Sequence, residues 1–147
     1  MTISSVALKI MLADDDEDDR ELFAEAIDSD NTEVLTFSNG KKLMEVLKSG
    51  RELPSCVFLD LNMPVKGGKE CLAEIRSNPE LKGLPVIIYS TSSNKKDIDE
   101  TFTMGANLYV VKPGSFKKLR ETLSKILRYE WPKHRPVNID DNYVFTD

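Results

Sequence analysis

Four groups of acidic, polar and basic residues stand directly after short apolar runs in this sequence. Asp14, Asp15 and Asp16 follow Leu8–Ala13, and Asp60 and Asn62 follow Cys56–Leu59. Ser90 and Thr91 follow Val86–Tyr89, and Lys112 and Pro113 follow Leu108–Val111. Brought to one edge, Asp14, Asp15 and Asp60 would set several like charges within interacting distance, which is unfavourable unless a cation joins them. Hard oxygen ligands, few in number and with room for water, suit Mg²⁺, which prefers octahedral geometry and keeps part of its hydration shell. Lys112 would add fixed positive charge beside it. Together they would neutralise a phosphoryl group during transfer, a reaction in which positioning and electrostatics supply most of the catalysis. Asp60, at the end of a central run, is the best placed nucleophile towards phosphorus, giving an acyl phosphate.

Each residue alone has a plainer explanation. Asp60 could cap a helix or begin a turn. The acids from Asp14 to Asp19 could be a solvated helix start, because negative charge favours that end. Ser90 and Lys112 singly carry no signal. The argument for chemistry rests on their combination.

The elements that must position these groups can be read from periodicity. Strand-length apolar runs at Leu8–Ala13, Glu33–Phe37, Cys56–Leu59, Val86–Tyr89 and Leu108–Val111 alternate with helical patterns, the signature of a parallel sheet with crossover helices on both faces. The last three runs are almost continuously apolar, as strands covered on both faces should be. Helical stripes are Leu22, Phe23, Ala26 and Ile27; Leu43, Met44 and Leu47; Cys71, Leu72 and Ile75; and Ile98 with Phe102. The fifth, Phe116, Leu119, Leu123, Ile126 and Leu127, stands behind a Ser115 cap. In such an open sheet, sites form outside the carboxyl ends of the strands, where all four groups fall.

The 147 residues suit one domain, expected over 1–131, and a tail at 132–147 in which a mobile terminus is the default and Val137, Ile139, Tyr143, Val144 and Phe145 could pack back. With 40% hydrophobic and 31% charged residues the chain is expected to fold, and no apolar run approaches the roughly 20 residues of a membrane span. A cytoplasmic protein without membrane attachment is expected. A net charge of −5 argues against nucleic acid as a partner, and Cys56 and Cys71 read as buried thiols.

The segments Leu12-Ala13-Asp14-Asp15-Asp16, Leu59-Asp60-Leu61-Asn62-Met63-Pro64 with Gly67-Gly68, Pro85 to Thr91, and Gly105-Ala106 through Tyr109-Val110-Val111-Lys112-Pro113 resemble, in order and spacing, a response-regulator receiver domain of the CheY type over residues 7 to 129. The resemblance implies a flavodoxin-like, doubly wound (βα)5 fold with a five-stranded parallel sheet of order 2-1-3-4-5. It implies Asp60 as phosphoacceptor and metal ligand, Asp15 as a direct Mg²⁺ ligand, Asp14 as a ligand through water, and Asn62 as a backbone carbonyl ligand, with Mn²⁺ able to substitute. Lys112 and Ser90 would hold the phosphoryl oxygens, and Tyr109 would turn inward as Ser90 moves. The function implied is a signalling switch that catalyses only its own phosphorylation and dephosphorylation. The phosphodonor would be a sensor histidine kinase, a phosphotransfer protein or a small molecule. Output would pass from the face of the fourth helix, fifth strand and fifth helix to a downstream protein, with phosphorylation-dependent homodimerisation left open. Asp14 to Asp19 and Lys112 to Phe116 also resemble stand-alone receivers paired with phytochrome-type histidine kinases.

Three other readings compete with this one. Asp14-x-Asp16 after a strand superficially suits haloacid dehalogenase-like phosphatases, but their late acidic motif has only Asp140 and Asp141 in the tail to supply it. Asp14, Asp16, Asp18 and Glu25 fall at calcium-loop positions, yet Asp19 stands where that loop needs glycine. A degenerate receiver, binding partners without phosphorylation, is opposed by the completeness of the site.

Overall fold

The structure, a computed structural model, describes residues 8–27, 31–128 and 143–145. In chain order these form β1 (Leu8–Ala13), α1 (Glu17–Ala26), β2 (Thr32–Phe37), α2 (Gly40–Leu47), β3 (Cys56–Leu59), α3 (Gly68–Ser77), β4 (Val86–Ser90), α4 (Lys95–Thr103), β5 (Leu108–Val111), α5 (Phe116–Ile126) and β6 (Val144–Phe145). All pairings are parallel, in the order β2-β1-β3-β4-β5-β6. This is the doubly wound α/β architecture expected, flavodoxin-like in its first five strands.

Strand residues alternate between two apolar layers, as the period of two demands. Met11, Ala13, Val57, Leu59, Val86, Ile88 and Tyr109 pack with α2 and α3 residues such as Leu43, Met44, Leu72 and Ile75. Ile10, Leu12, Cys56, Phe58, Ile87, Tyr89, Leu108 and Val110 pack with Phe23, Leu119, Leu123 and Ile126 of α1 and α5. Every residue of β3 and β4 is buried. Local signals set the helix starts: the side chains of Asp16, Asn39, Asn94 and Ser115 each accept a backbone N–H of the following first turn. Gly68 opens α3 against the strand that carries Asp60, and a Cβ there would collide with the Asp60 carbonyl oxygen. Its N–H donates to Leu61 O at 3.1 Å, tying the helix to the loop after β3.

The structure extends one expectation and corrects another. The sheet has six strands among the described residues, because the end of the tail docks: β6 pairs with β5, placing Val144 opposite Tyr109 and Phe145 opposite Val110. Tyr143 is fully buried, its ring edge-on to Phe102 at 5.2 Å between centroids and its hydroxyl 2.6 Å from Thr101 Oγ1. A two-residue strand has no readable period, so burial of one aromatic ring sets its place. Residues 129–142, including His134, Val137, Ile139, Asp140 and Asp141, lie outside the described residues. The correction concerns Leu22 and Phe116, expected in core stripes by their spacing but 40% and 38% exposed. Both line the cleft beside Lys112, Phe116 as the first residue of α5 and Leu22 in the second turn of α1.

Cys56 and Cys71 are free and buried as expected, and burial pushes the Cys71 thiol up to about 12. No helix among the described residues is long and apolar enough to cross a membrane.

The docking of Tyr143 is directly testable. Tyr143→Ala should lower unfolding stability by roughly 3–5 kcal/mol through loss of a buried ring, and Tyr143→Phe by about 1 kcal/mol through loss of the Thr101 hydrogen bond. Urea midpoints report both; an unchanged midpoint in Tyr143→Ala contradicts the docked tail.

Candidate metal and phosphoacceptor site

The chain reverses its direction of travel across the sheet between β1 and β3, which are hydrogen-bonded neighbours. Their last residues, Ala13 and Leu59, are in register, and Asp60 N–H donates to Ala13 O at 3.0 Å. Asp14 and Asp60 therefore follow paired positions at the topological switch point, the place where open parallel sheets hold ligands. One carboxylate oxygen from each of Asp14, Asp15 and Asp60 lies within 4.8 Å of the others. Asp14 is fully buried, Asp60 is 8% exposed, and Asp15 faces solvent.

Lys112 arrives at the end of β5, held there by its N–H donating to Ser90 O at 2.8 Å. Its Nζ is 2.8 Å from Asp14 Oδ2 and 3.2 Å from Asp60 Oδ2, and lies 5.3 Å from the centroid of the Tyr89 ring. Asp14 Oδ1 accepts the Asp16 N–H, whereas Oδ2 is buried with no hydrogen-bond donor aligned on it, the Lys112 ammonium standing near but off line. Burial raises the Asp14 carboxyl to about 6, against the opposing pull of Lys112. Burial alone would lower the Lys112 pKa, but Asp14 and Asp19 outweigh it and hold the ammonium protonated. A buried carboxylate oxygen with no aligned donor, beside two further acids, makes a site short of positive charge. The donor set fits a hard divalent cation with bound water.

Ser90 ends β4, fully buried, and its hydroxyl accepts the Ser92 N–H at 3.1 Å. Tyr109 is fully buried and donates to Ser92 O at 2.8 Å, so its ring already points inward, the place expected of it after switching. Tyr143 from the tail lies beside it, and the Tyr109 N–H donates to Tyr143 O at 2.8 Å. Ser92 is anchored in turn: its hydroxyl donates to Asp97 Oδ2 at 2.8 Å, and Lys69 pairs with Asp97 Oδ1 at 2.8 Å. Lys69 and Ser92 hold the Asp97 carboxyl below its ordinary range. Asn62 is exposed in the loop following Asp60, and Thr91 is exposed beyond β4.

Sequence reasoning missed Asp19 as a member of this site. Its Oδ2 lies 2.8 Å from Lys112 Nζ, reaching it from the first turn of α1. The helix start after Asp16 was the signal, because it puts Asp19 a turn along on the sheet-edge end of α1. The same helix separates the calcium-loop acids: Asp16 caps it and Asp18 is exposed on it, so Asp14, Asp16, Asp18 and Glu25 do not converge. Beside Lys112, a shallow cleft of about 220 Å³ is lined by Asp19, Leu22, Tyr89, Pro113, Phe116 and Leu119 among others.

The family model described as the response regulator receiver domain matches residues 10–124. The chain belongs to the response-regulator receiver family. Receiver domains of this family act in two-component phosphorelay signalling as switches, not as classical enzymes. Among relatives, the response regulator Rcp1 of Synechocystis is 33% identical over 117 residues, covering 75% of this chain and 80% of its own length. The crystal structure of the phosphorylated cyanobacterial phytochrome response regulator RcpA superposes with a TM-score of 0.76 at 35% identity, over 81% of this chain and 90% of that one. The Mn²⁺-bound form of Rcp1 superposes with a TM-score of 0.76 at 30% identity, over 86% and 96%. The receiver fold carries the same strand order through β5 in this chain.

The raised Asp14 carboxyl gives a signed pH dependence. Because the folded receiver holds this proton more tightly than the unfolded chain, the Asp14 contribution to metal-free stability should fall as pH rises from about 4 to about 6, against the rising contribution of paired carboxylates such as Asp97. Asp14→Asn should remove that slope and raise metal-free stability above pH 6 by roughly 2 kcal/mol. Denaturation midpoints of wild type and Asp14→Asn across pH in EDTA test this; a difference between the two that does not widen in favour of Asp14→Asn as pH rises from about 4 to about 6 contradicts it.

Proposed function

We propose that this receiver transfers a phosphoryl group to Asp60 in a Mg²⁺-dependent reaction and passes the resulting state to a protein partner. The observation that carries this reading is the convergence of Asp14, Asp15 and Asp60 beside Lys112 at the switch point. Asp15 and Asp60 would bind the ion directly, Asp14 through water from its buried oxygen, and Asn62 through its backbone carbonyl. Mn²⁺ is an acceptable substitute, supported by the Mn²⁺-bound Rcp1 structure. The cation supplies charge neutralisation between carboxylates and phosphoryl oxygens.

The remaining steps belong to the chain. Asp60 Oδ attacks phosphorus in line, and the donor's leaving group departs on the far side. Lys112 moves its hydrogen bond from the carboxylate to a phosphoryl oxygen, stabilising charge in a largely desolvated pocket. Ser90 gives up the Ser92 N–H to donate to a second oxygen, pulling on the loop that Asp97 and Lys69 anchor. Tyr109, bonded to Ser92 O, senses that movement. The equilibrium between two loop arrangements shifts by the differential affinity of the phosphoryl group for them. The affected face is that of α4, β5 and α5, along whose strand edge β6 lies.

The donor is a phosphohistidine on a sensor histidine kinase or phosphotransfer protein, with a small phosphodonor as substitute. The exposed Leu22 and Phe116 flank the approach to Lys112 and give such a protein apolar contact. The phytochrome response regulators among the related structures favour a phytochrome-type kinase. A cytoplasmic setting, a downstream protein target and phosphorylation-dependent homodimerisation complete the reading.

Acetyl phosphate with Mg²⁺ should add the mass of one phosphoryl group, and EDTA or Asp60→Asn should abolish the gain. Lys112→Ala should slow it by roughly 10²–10³-fold. A wild-type protein that gains nothing from acetyl phosphate or from a cognate kinase is instead a non-phosphorylated binding module.

A further inference from the structure

Lys112 is shared by more carboxylates than phosphoryl transfer requires. Its Nζ meets Asp14 Oδ2 at 2.8 Å, Asp60 Oδ2 at 3.2 Å and Asp19 Oδ2 at 2.8 Å. The first two belong to the triad whose oxygens converge for a cation, and Asp19 does not. Asp19 also differs in setting: its side chain is 34% exposed at the rim, while those of Asp14 and Asp60 are 0% and 11% exposed. Its backbone is fixed, since the Asp19 N–H donates to the capping Asp16 Oδ1 at 3.0 Å.

A dication seated on Asp14, Asp15 and Asp60 repels an ammonium that touches two of the same carboxylates. Lys112 must then weaken those contacts while staying near enough to meet a phosphoryl oxygen. The side chain is 9% exposed, so water cannot compensate it fully. Asp19 is the remaining carboxylate on Nζ, at 2.8 Å and outside the group of acids that converge for a cation. Resting on the phosphoryl-transfer reading above and going beyond it, we propose that Asp19 is a positioning residue: it holds the Lys112 ammonium when a dication enters, so that metal binding and phosphoryl transfer do not compete for one charge.

The two functions separate in a double-mutant cycle with Mg²⁺ itself as probe, followed by calorimetry, on the full chain. Asp19→Asn should weaken Mg²⁺ binding roughly tenfold, because the displaced lysine loses its charge-assisted hydrogen bond. In the Lys112→Ala background the same substitution should change Mg²⁺ affinity less than about twofold, since only a distant charge is removed. Asp18→Asn removes the same charge from the same turn without a contact to Lys112, and should also stay within about twofold. The acetyl phosphate rate should fall in Asp19→Asn and be insensitive to it in Lys112→Ala. Equal losses in both backgrounds, an equal loss in Asp18→Asn, or unchanged affinity in Asp19→Asn overturns the positioning role. Wild-type protein that binds no Mg²⁺ and accepts no phosphoryl group instead overturns the functional reading on which it rests.

Discussion

The structure depends on an electrostatic imbalance at one point: three carboxylates crowd the ends of two paired strands, and one lysine faces them. Burial makes the imbalance costly, and it is visible in the Asp14 carboxyl, raised to about 6 although an ammonium stands 2.8 Å away. A protein optimised for stability alone would place a neutral side chain there. On the function proposed above, retaining the charge keeps the site receptive to a dication, at the expense of metal-free stability.

The parallel sheet makes this arrangement rigid. β1 and β3 are neighbours with Ala13 in register with Leu59, so Asp14 and Asp60 follow positions fixed by backbone pairing, not by loop conformation. Gly68 lets α3 close on the Asp60 carbonyl, and a larger residue would push Asp60 out of place. Lys112 and Ser90 are tied through the Lys112 N–H to Ser90 O bond. A polar chain of Ser92, Asp97 and Lys69 links the loop after β4 to α3 through α4, and Tyr109 bonds to the same loop.

Much of this was readable in the chain because parallel strands buried on both faces leave apolar runs, and the residues ending those runs are the ones the fold delivers to a site. Asp14, Asp15, Asp60, Ser90 and Lys112 were found that way, and the Ser115 cap was found by its position. Asp19 escaped because an acid in a helix's first turn has a sufficient explanation in the helix dipole, and only the distance to Lys112 separates the two meanings. The sixth strand escaped for another reason: Val144 and Phe145 are too few to show a period, and a tertiary contact, the burial of Tyr143 against Phe102 and Thr101, decides where they go. Helical spacing puts Leu22 and Phe116 inward, whereas both line the cleft beside Lys112 and stay at the surface next to the site.

The central claim is that these acids meet around one ion. Crystals grown or soaked with Mn²⁺ give its position directly from anomalous scattering. The account predicts a single strong peak bounded by carboxylate oxygens of Asp14, Asp15 and Asp60 with Lys112 beside it and not in the coordination shell. A crystal saturated with Mn²⁺ whose peaks all lie elsewhere would contradict it.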